Sequence, residues 1–339
     1  MNMIYLLNHA IFAAFLSLIT VEVGISVLGL AGYREYWKRM KPYLMPMWEI
    51  NGTFAVFYVV AFEAMYPQLL TLVGTAYIAP ALVAGLFFIL RNAFLSYSEY
   101  IGSEKHEKRL VSVYGISTVI VAVLAISILT SAVSGTGVSV PLQSISIAAF
   151  ANAFNILAIL SIVLISIFCV KALFGFRGNA VLDIGIVALG ILGMMIGAYV
   201  GPSYLLFSLR SNLDFALFVF ELLFLFVVAV LHASEKRLAR FLVLPWLFSA
   251  ILAFTVFQYP YLFGMEVNML AYTASGTVSG YVILITVAGG LMLAASLLFL
   301  LYMSMRRAIV IPSASRRNRK KSLNTIWVYS LSGSTEEFF

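Results

Sequence analysis

The sequence predicts an all-α integral membrane protein of about nine transmembrane helices. The expected arrangement is two four-helix groups plus one peripheral helix, with the N-terminus outside and the C-terminus in the cytoplasm. Three observations predict it. The composition is 63% hydrophobic and only 10% charged, with a mean hydropathy of +1.03, too little charge to clothe a soluble domain. The apolar residues gather into spans of membrane-crossing length at 4–31, 48–67, 70–95, 110–133, 146–170, 180–200, 213–233, 241–258 and 279–304. The basic residues, laid over those spans, all but one fall on a single side.

That third observation fixes orientation and tests the span count. The connection after the first span holds Arg34, Lys38, Arg39 and Lys41, and the one after the third holds Arg91, Lys105, Lys108 and Arg109. Lys171 and Arg177 follow the fifth span, and Lys236, Arg237 and Arg240 the seventh. The tail adds Arg306, Arg307, Arg316, Arg317, Arg319, Lys320 and Lys321. Of the 21 Lys and Arg residues only Arg210 lies on the other side. One helix more or fewer in mid-chain would mix the two sets. Lys and Arg accumulate on the cytoplasmic side of membrane proteins, so the C-terminus is expected there. The net charge of +7 is therefore a topology signal, and no nucleic-acid partner is expected.

The chain divides into a transmembrane domain, residues 1–305, and a basic then polar cytoplasmic tail, 306–339, whose cluster Arg316–Lys321 can touch anionic lipid. The first span is not expected to be a cleaved signal peptide. It lacks a basic n-region, exceeds the length of an h-region, and is followed by no small-residue cleavage site. The connections on the outer side, at Pro67, 135–141 and 259–278, carry little charge, and the short ones make successive helices antiparallel neighbours. Gly190, Gly193, Gly197 and Gly201 recur at three- and four-residue steps, a face that lets another helix approach closely.

Carboxylates inside a bilayer cost about 2.5–3.5 kcal/mol on insertion scales, so each asks for a reason. Glu22 lies in the cytoplasmic half of the first span and Glu49 opens the second on the same side, so both can face one cytoplasmic opening. Glu63 follows Glu49 by 14 residues, roughly 21 Å along a helix at 1.5 Å per residue. A buried carboxyl group can hold a proton at neutral pH, as a relay requires. Glu22, Glu49 and Glu63 are accordingly expected to serve a proton or ion route, the plainer alternative being a pairing with an interior Arg. Asp183 and Asp214, near helix starts, are expected to cap them. Glu221 is left open.

Other chemistry is sparse. The single cysteine, Cys169, excludes disulfides and Cys-rich metal or iron–sulfur sites within the chain. His9, His106 and His232 are scattered over the outer end, a loop and a cytoplasmic helix end, so no haem ligand pair is expected. No catalytic triad, P-loop or metalloprotease helix occurs, and no catalytic or metal-binding residue is assigned.

Trp48-Glu49-Ile50-Asn51-Gly52-Thr53-Phe54, closing at Tyr66-Pro67, resembles the W-D-G-N-Q-V-W…W-P stretch of cytochrome bd oxidase subunit II. Glu22-Val23-Gly24 is similar to that family's D-M-G on the first helix. Gly74 to Arg91, with Tyr77 and Leu86-Phe87-Phe88, resembles its third helix with the closing F-F-R-P. Tyr259-Pro260-Tyr261 and Tyr272-Thr273-Ala274-Ser275 resemble its F-P…W-D-A-S. The likeness covers the first hundred and last sixty residues, and the middle matches in hydropathy and helix count. Both matching acids are Glu where the family has Asp, the acid of W-D-A-S is lost, and Glu63 has no acidic counterpart.

The resemblance implies a haem-free subunit paired with subunit I, which carries haems b and d and the quinol site. Small accessory subunits are further candidate partners, and some members hold a structural quinone. The pair oxidises quinol and reduces oxygen to water with protons drawn from the cytoplasm. It also implies that Glu49, with Trp48 and Asn51 beside it, and Glu22 belong to a proton pathway. Two other readings of the helices stay open here. One is the quinone-binding anchor of a polysulfide- or nitrite-reductase type complex, the other a proton-coupled secondary transporter.

Overall fold

A computed structural model describes residues 2–100, 104–135, 150–176, 179–201, 212–262, 264, 267–295 and 299. The tail 306–339, Arg177, Arg210, the start of the fifth predicted span and the end of the ninth lie outside them. Helix α1 (Met3–Ala31) is capped by Asn2, whose side chain accepts from the Ile4 amide at 3.0 Å. It runs to Gly32, and a short π-turn, Tyr33–Trp37, leads into α2 (Lys38–Met65). The segments Tyr33–Leu44 and Met47–Met65 meet at 54°; the sequence has Pro46 at the break, and proline removes a helix donor. Pro67 opens α3 (Pro67–Tyr100), where its missing N–H costs nothing. Pro80 then kinks α3, leaving Tyr77 at non-helical φ −121° and ψ 20°.

The remaining spans are α4 (Glu104–Ser134), α5 (Ala153–Phe174), α6 (Ala180–Val200), α7 (Asn212–Ala233), α8 (Leu238–Phe257) and α9 (Gly276–Ala295). Among the described residues eight helices are long and apolar enough to cross a membrane, and the bent α2 raises the number to nine. The fifth helix begins at Ala153, later than its apolar run suggests, because Asn152 caps it by accepting from the Asn155 amide at 2.8 Å.

Helices α1–α4 pack as one group and α5–α8 as another, and α1 joins them by touching α2, α4, α5 and α8. Gly24 permits that junction. A Cβ there would stand 2.2 Å from the Ser166 carbonyl of α5, so the glycine of the first-helix motif is where the two groups meet. The glycine face of α6 does what its spacing predicts. A Cβ on Gly193 would fall 2.4 Å from Ser161 Oγ, and one on Gly190 2.9 Å from Ile165, both on α5. Helix α9 is peripheral, resting Gly289 against the Phe57 ring of α2. Between α8 and α9 the chain folds back with Leu262 N–H donating to Val267 at 3.0 Å, and it ties Ala274 to the Met65 carbonyl at the end of α2.

Candidate functional site: a buried carboxylate cluster in the first helix group

Glu22 is 1% exposed, well inside α1, and every other helix of its group sends it a side chain. Arg91 Nη1 of α3 donates to Oε1 at 2.7 Å, and the Tyr114 hydroxyl of α4 donates to the same oxygen at 2.9 Å. Asn51 Nδ2 of α2 donates to Oε2 at 2.6 Å. Hydrogen bonds between ionised partners are roughly twice as strong as neutral ones, and a buried carboxylate with these donors is held in one position. A second layer steadies the donors. Asn92 Oδ1 accepts from Arg91 Nε at 3.1 Å and from Trp48 Nε1 at 2.7 Å, and the Arg91 guanidinium lies 4.5 Å from the Phe88 ring centroid.

Helical spacing explains which motif residues join. Trp48 and Asn51, three apart, share a face and turn inward. Glu49 lies on the opposite face with Thr53, Val56, Val60 and Glu63, a run of exposed residues at three- and four-residue steps. The structure therefore separates Glu49 and Glu63 from Glu22, where the sequence allows Glu22 and Glu49 one opening. The plainer alternative for Glu22, a pairing with an interior Arg, is realised by Arg91.

From Glu22 a line of polar groups leads to the basic end of the bundle. Ser26, one turn along α1, lies beside the Tyr114 hydroxyl, and the Tyr114 ring lies 5.7 Å from that of Trp37. Trp37 and Tyr33 lie beside the Glu107 carboxylate, which Lys41 Nζ meets at 3.0 Å near the surface. Asn51 Oδ1 and Ser26 Oγ are buried without a hydrogen-bond partner among the described residues, the kind of acceptor that internal water satisfies.

A second charged cluster occupies the other group. Asp183 of α6, 1% exposed, takes Lys171 Nζ of α5 on Oδ1 and His232 Nε2 of α7 on Oδ2, the latter at 3.2 Å. The capping role expected of Asp183 falls instead to Asn179, whose side chain accepts from the Val181 amide, because Asp183 sits one turn too far along α6. Asp214 lies half-buried in the first turn of α7. Glu221, half-buried midway along α7, accepts from Ser249 Oγ at 3.1 Å.

Arg91 and Lys171, topology markers in connecting loops by sequence, are both buried within helices and paired with acids. Sequence reasoning missed Tyr114 and Asn92 entirely. The usable signal was Glu22 itself, since an acid inside a span calls for a cation on a neighbouring one. The histidines sit apart: His9 stacks on Tyr5 at 3.9 Å, His106 is exposed on α4, and His232 pairs with Asp183. Among the described residues no group of three His, Cys, Asp or Glu is placed to hold a metal ion.

Comparison with known proteins gives two findings. The sequence profile of the family described as cytochrome bd terminal oxidase subunit II matches residues 2–305. The fold is similar to a chain in the structure of bd oxidase from Geobacillus thermodenitrificans, with a TM-score of 0.68 at 18% identity, covering 89% of this chain and 98% of that one. None of the curated protein sequences matches.

Proposed function

The chain belongs to the cytochrome bd terminal oxidase subunit II family, and on that premise we propose that it is the haem-free subunit of a membrane quinol:oxygen oxidoreductase that helps deliver protons from the cytoplasm. Membership makes it a multi-pass membrane component of a respiratory oxidoreductase complex with a subunit I partner, which displaces the reductase-anchor and transporter readings. Haems b and d, held by that partner, supply quinol oxidation and oxygen reduction. This chain's scattered histidines fit no haem, and a structural quinone has no assigned place. The basic end faces the cytoplasm, with the N-terminus outside.

The observation that carries the proton role is the Glu22 cluster. An acid well inside a span is held by Asn51, Arg91 and Tyr114 with Ser26 beside the Tyr114 hydroxyl, and nearer the basic end Tyr33 and Trp37 lie beside the Glu107 carboxylate that pairs with Lys41. Hydroxyl, amide and carboxyl groups in sequence, with buried acceptors of the kind that internal water satisfies, suit proton transfer. Glu49 and Glu63, on the outward face of α2, are assigned to the same delivery on the side turned to subunit I. Carboxylates among Val56, Val59 and Val60 suit a protein neighbour better than lipid.

The test is oxygen consumption by the assembled complex. Glu49→Gln keeps size and hydrogen bonding but removes titration, and it should slow turnover while leaving assembly intact. Glu49→Asp should retain much more activity. If both variants assemble and turn over like wild type, Glu49 is structural and its place in the pathway is withdrawn.

A further inference from the structure

Glu221 stands where an acid is hardest to keep. It is nine residues beyond Asn212 and twelve short of Ala233 on α7, roughly 13 Å and 18 Å from the two ends at 1.5 Å per residue. That depth is near the middle of a hydrocarbon core about 30 Å thick. Helix α7 packs chiefly on α6 and α8, and its exposed residues between Phe215 and Val230 are all apolar, a surface suited to acyl chains. An ionised carboxylate at such a depth is costly unless a partner neutralises it. No cation meets Glu221 among the described residues. His232 on α7 lies eleven residues away at the basic end, and Arg240 on α8 lies nine residues before Ser249.

The hydrogen bonds around Ser249 show how that cost is avoided. A serine hydroxyl has one proton to donate. Ser249 Oγ has two acceptors in reach, the Trp246 carbonyl at 2.9 Å and Glu221 Oε2 at 3.1 Å. If the proton goes to Glu221, the contact with the Trp246 carbonyl lacks one. A protonated Glu221 instead donates to Ser249 Oγ, and the hydroxyl is then free for the Trp246 carbonyl. Both contacts are satisfied, and no charge remains in the membrane. The second oxygen, Oε1, has no hydrogen-bond partner among the described residues and is not buried, so the half-buried group opens on the surface of the bundle.

We infer that Glu221 is a carboxylic acid that carries its proton in the membrane and is reachable from the lipid, which makes it a modification site for lipid-soluble carbodiimides. The carboxyl proton passes to one nitrogen of the reagent while a carboxyl oxygen bonds its central carbon. Transfer of the acyl group from that oxygen to the other nitrogen leaves a stable N-acylurea. Nothing is oxidised and nothing is released. Neither the Glu22 cluster nor the haem assignment is needed for this inference.

The assembled complex, in lipid nanodiscs at neutral pH, is treated with dicyclohexylcarbodiimide, digested and mapped by mass spectrometry. The peptide that holds Glu221 should gain the whole mass of the reagent. Glu221→Gln should abolish that adduct, and Ser249→Ala, which keeps the acid, should retain it. A water-soluble carbodiimide bearing a cation should label Glu221 about tenfold or more slowly, because its charge is excluded from the hydrocarbon. The wild-type map decides the matter even where a variant assembles poorly. An unlabelled wild-type peptide overturns the proposal, and so does an adduct that persists in Glu221→Gln. Equal labelling by the two reagents overturns access from the lipid.

Discussion

Glu22 and Asp183 are equally buried, each about 1% exposed and each paired with a cation, yet they occupy their helix groups differently. Asp183 lies in the first turn of α6, while Lys171 and His232 lie in the last turns of α5 and α7. Asp183 and Lys171 each sit at the helix end whose partial charge suits them, so a structural pin between three helices accounts for the cluster. Glu22 has no helix end nearby. Its charge is balanced only by side chains from α2, α3 and α4, and it stands at the head of a polar line to the surface. Similar ion-pair chemistry thus serves two ends, and depth along the helix distinguishes them.

Breaking the pairs tests that distinction. The largest effect is expected for Arg91→Leu, which strands the Glu22 carboxylate; removing one partner of a buried pair costs about 3–5 kcal/mol. Yield of assembled complex should collapse. Glu22→Gln/Arg91→Gln removes both charges and should recover assembly, measured by size-exclusion chromatography, while oxygen consumption stays low. Full activity in that double variant would reduce the Glu22 cluster to a second pin.

Asp183→Asn is expected to cost about 3 kcal/mol, at the low end of the same range because the Lys171 ammonium keeps the favourable partial charge of the C-terminal end of α5. It should lower the midpoint of thermal unfolding, yet leave turnover per assembled complex unchanged. A selective loss of turnover would move Asp183 into the functional class and erase the contrast between the groups.

The smallest effect should come from Tyr114→Phe. It deletes one hydrogen bond to Glu22, worth about 1.5–3 kcal/mol when the partner is charged, partly recovered if water replaces the hydroxyl. The complex should assemble, with oxygen consumption slowed most at high pH, where protons are scarce. A uniform slowing across pH would mean that Tyr114 positions Glu22 without carrying protons.

The membrane class, the span count, the grouping of basic residues and the close-packed glycine face of α6 are legible in the amino-acid order alone. These follow from composition and local period, because a bilayer demands long apolar helices whatever their neighbours. The same order marks Glu22, Trp48 and Asn51, through the rarity of acids in spans and the likeness of two short motifs. The groups that surround Glu22 are set by how the helices pack. Arg91 and Tyr114 are 69 and 92 residues away along the chain, and no periodicity within one helix reports on a partner from another. The facing of α2 was decided in the same way. Its 3.6-residue period implies that Trp48 and Asn51 share one side and Glu49 and Glu63 the other, but says nothing of which side is inside. Packing against α1 and α3 makes that choice, since inward placement of Asn51 satisfies the Glu22 Oε2 acceptor that burial would otherwise leave unpaired, and that of Trp48 lets its indole N–H reach Asn92.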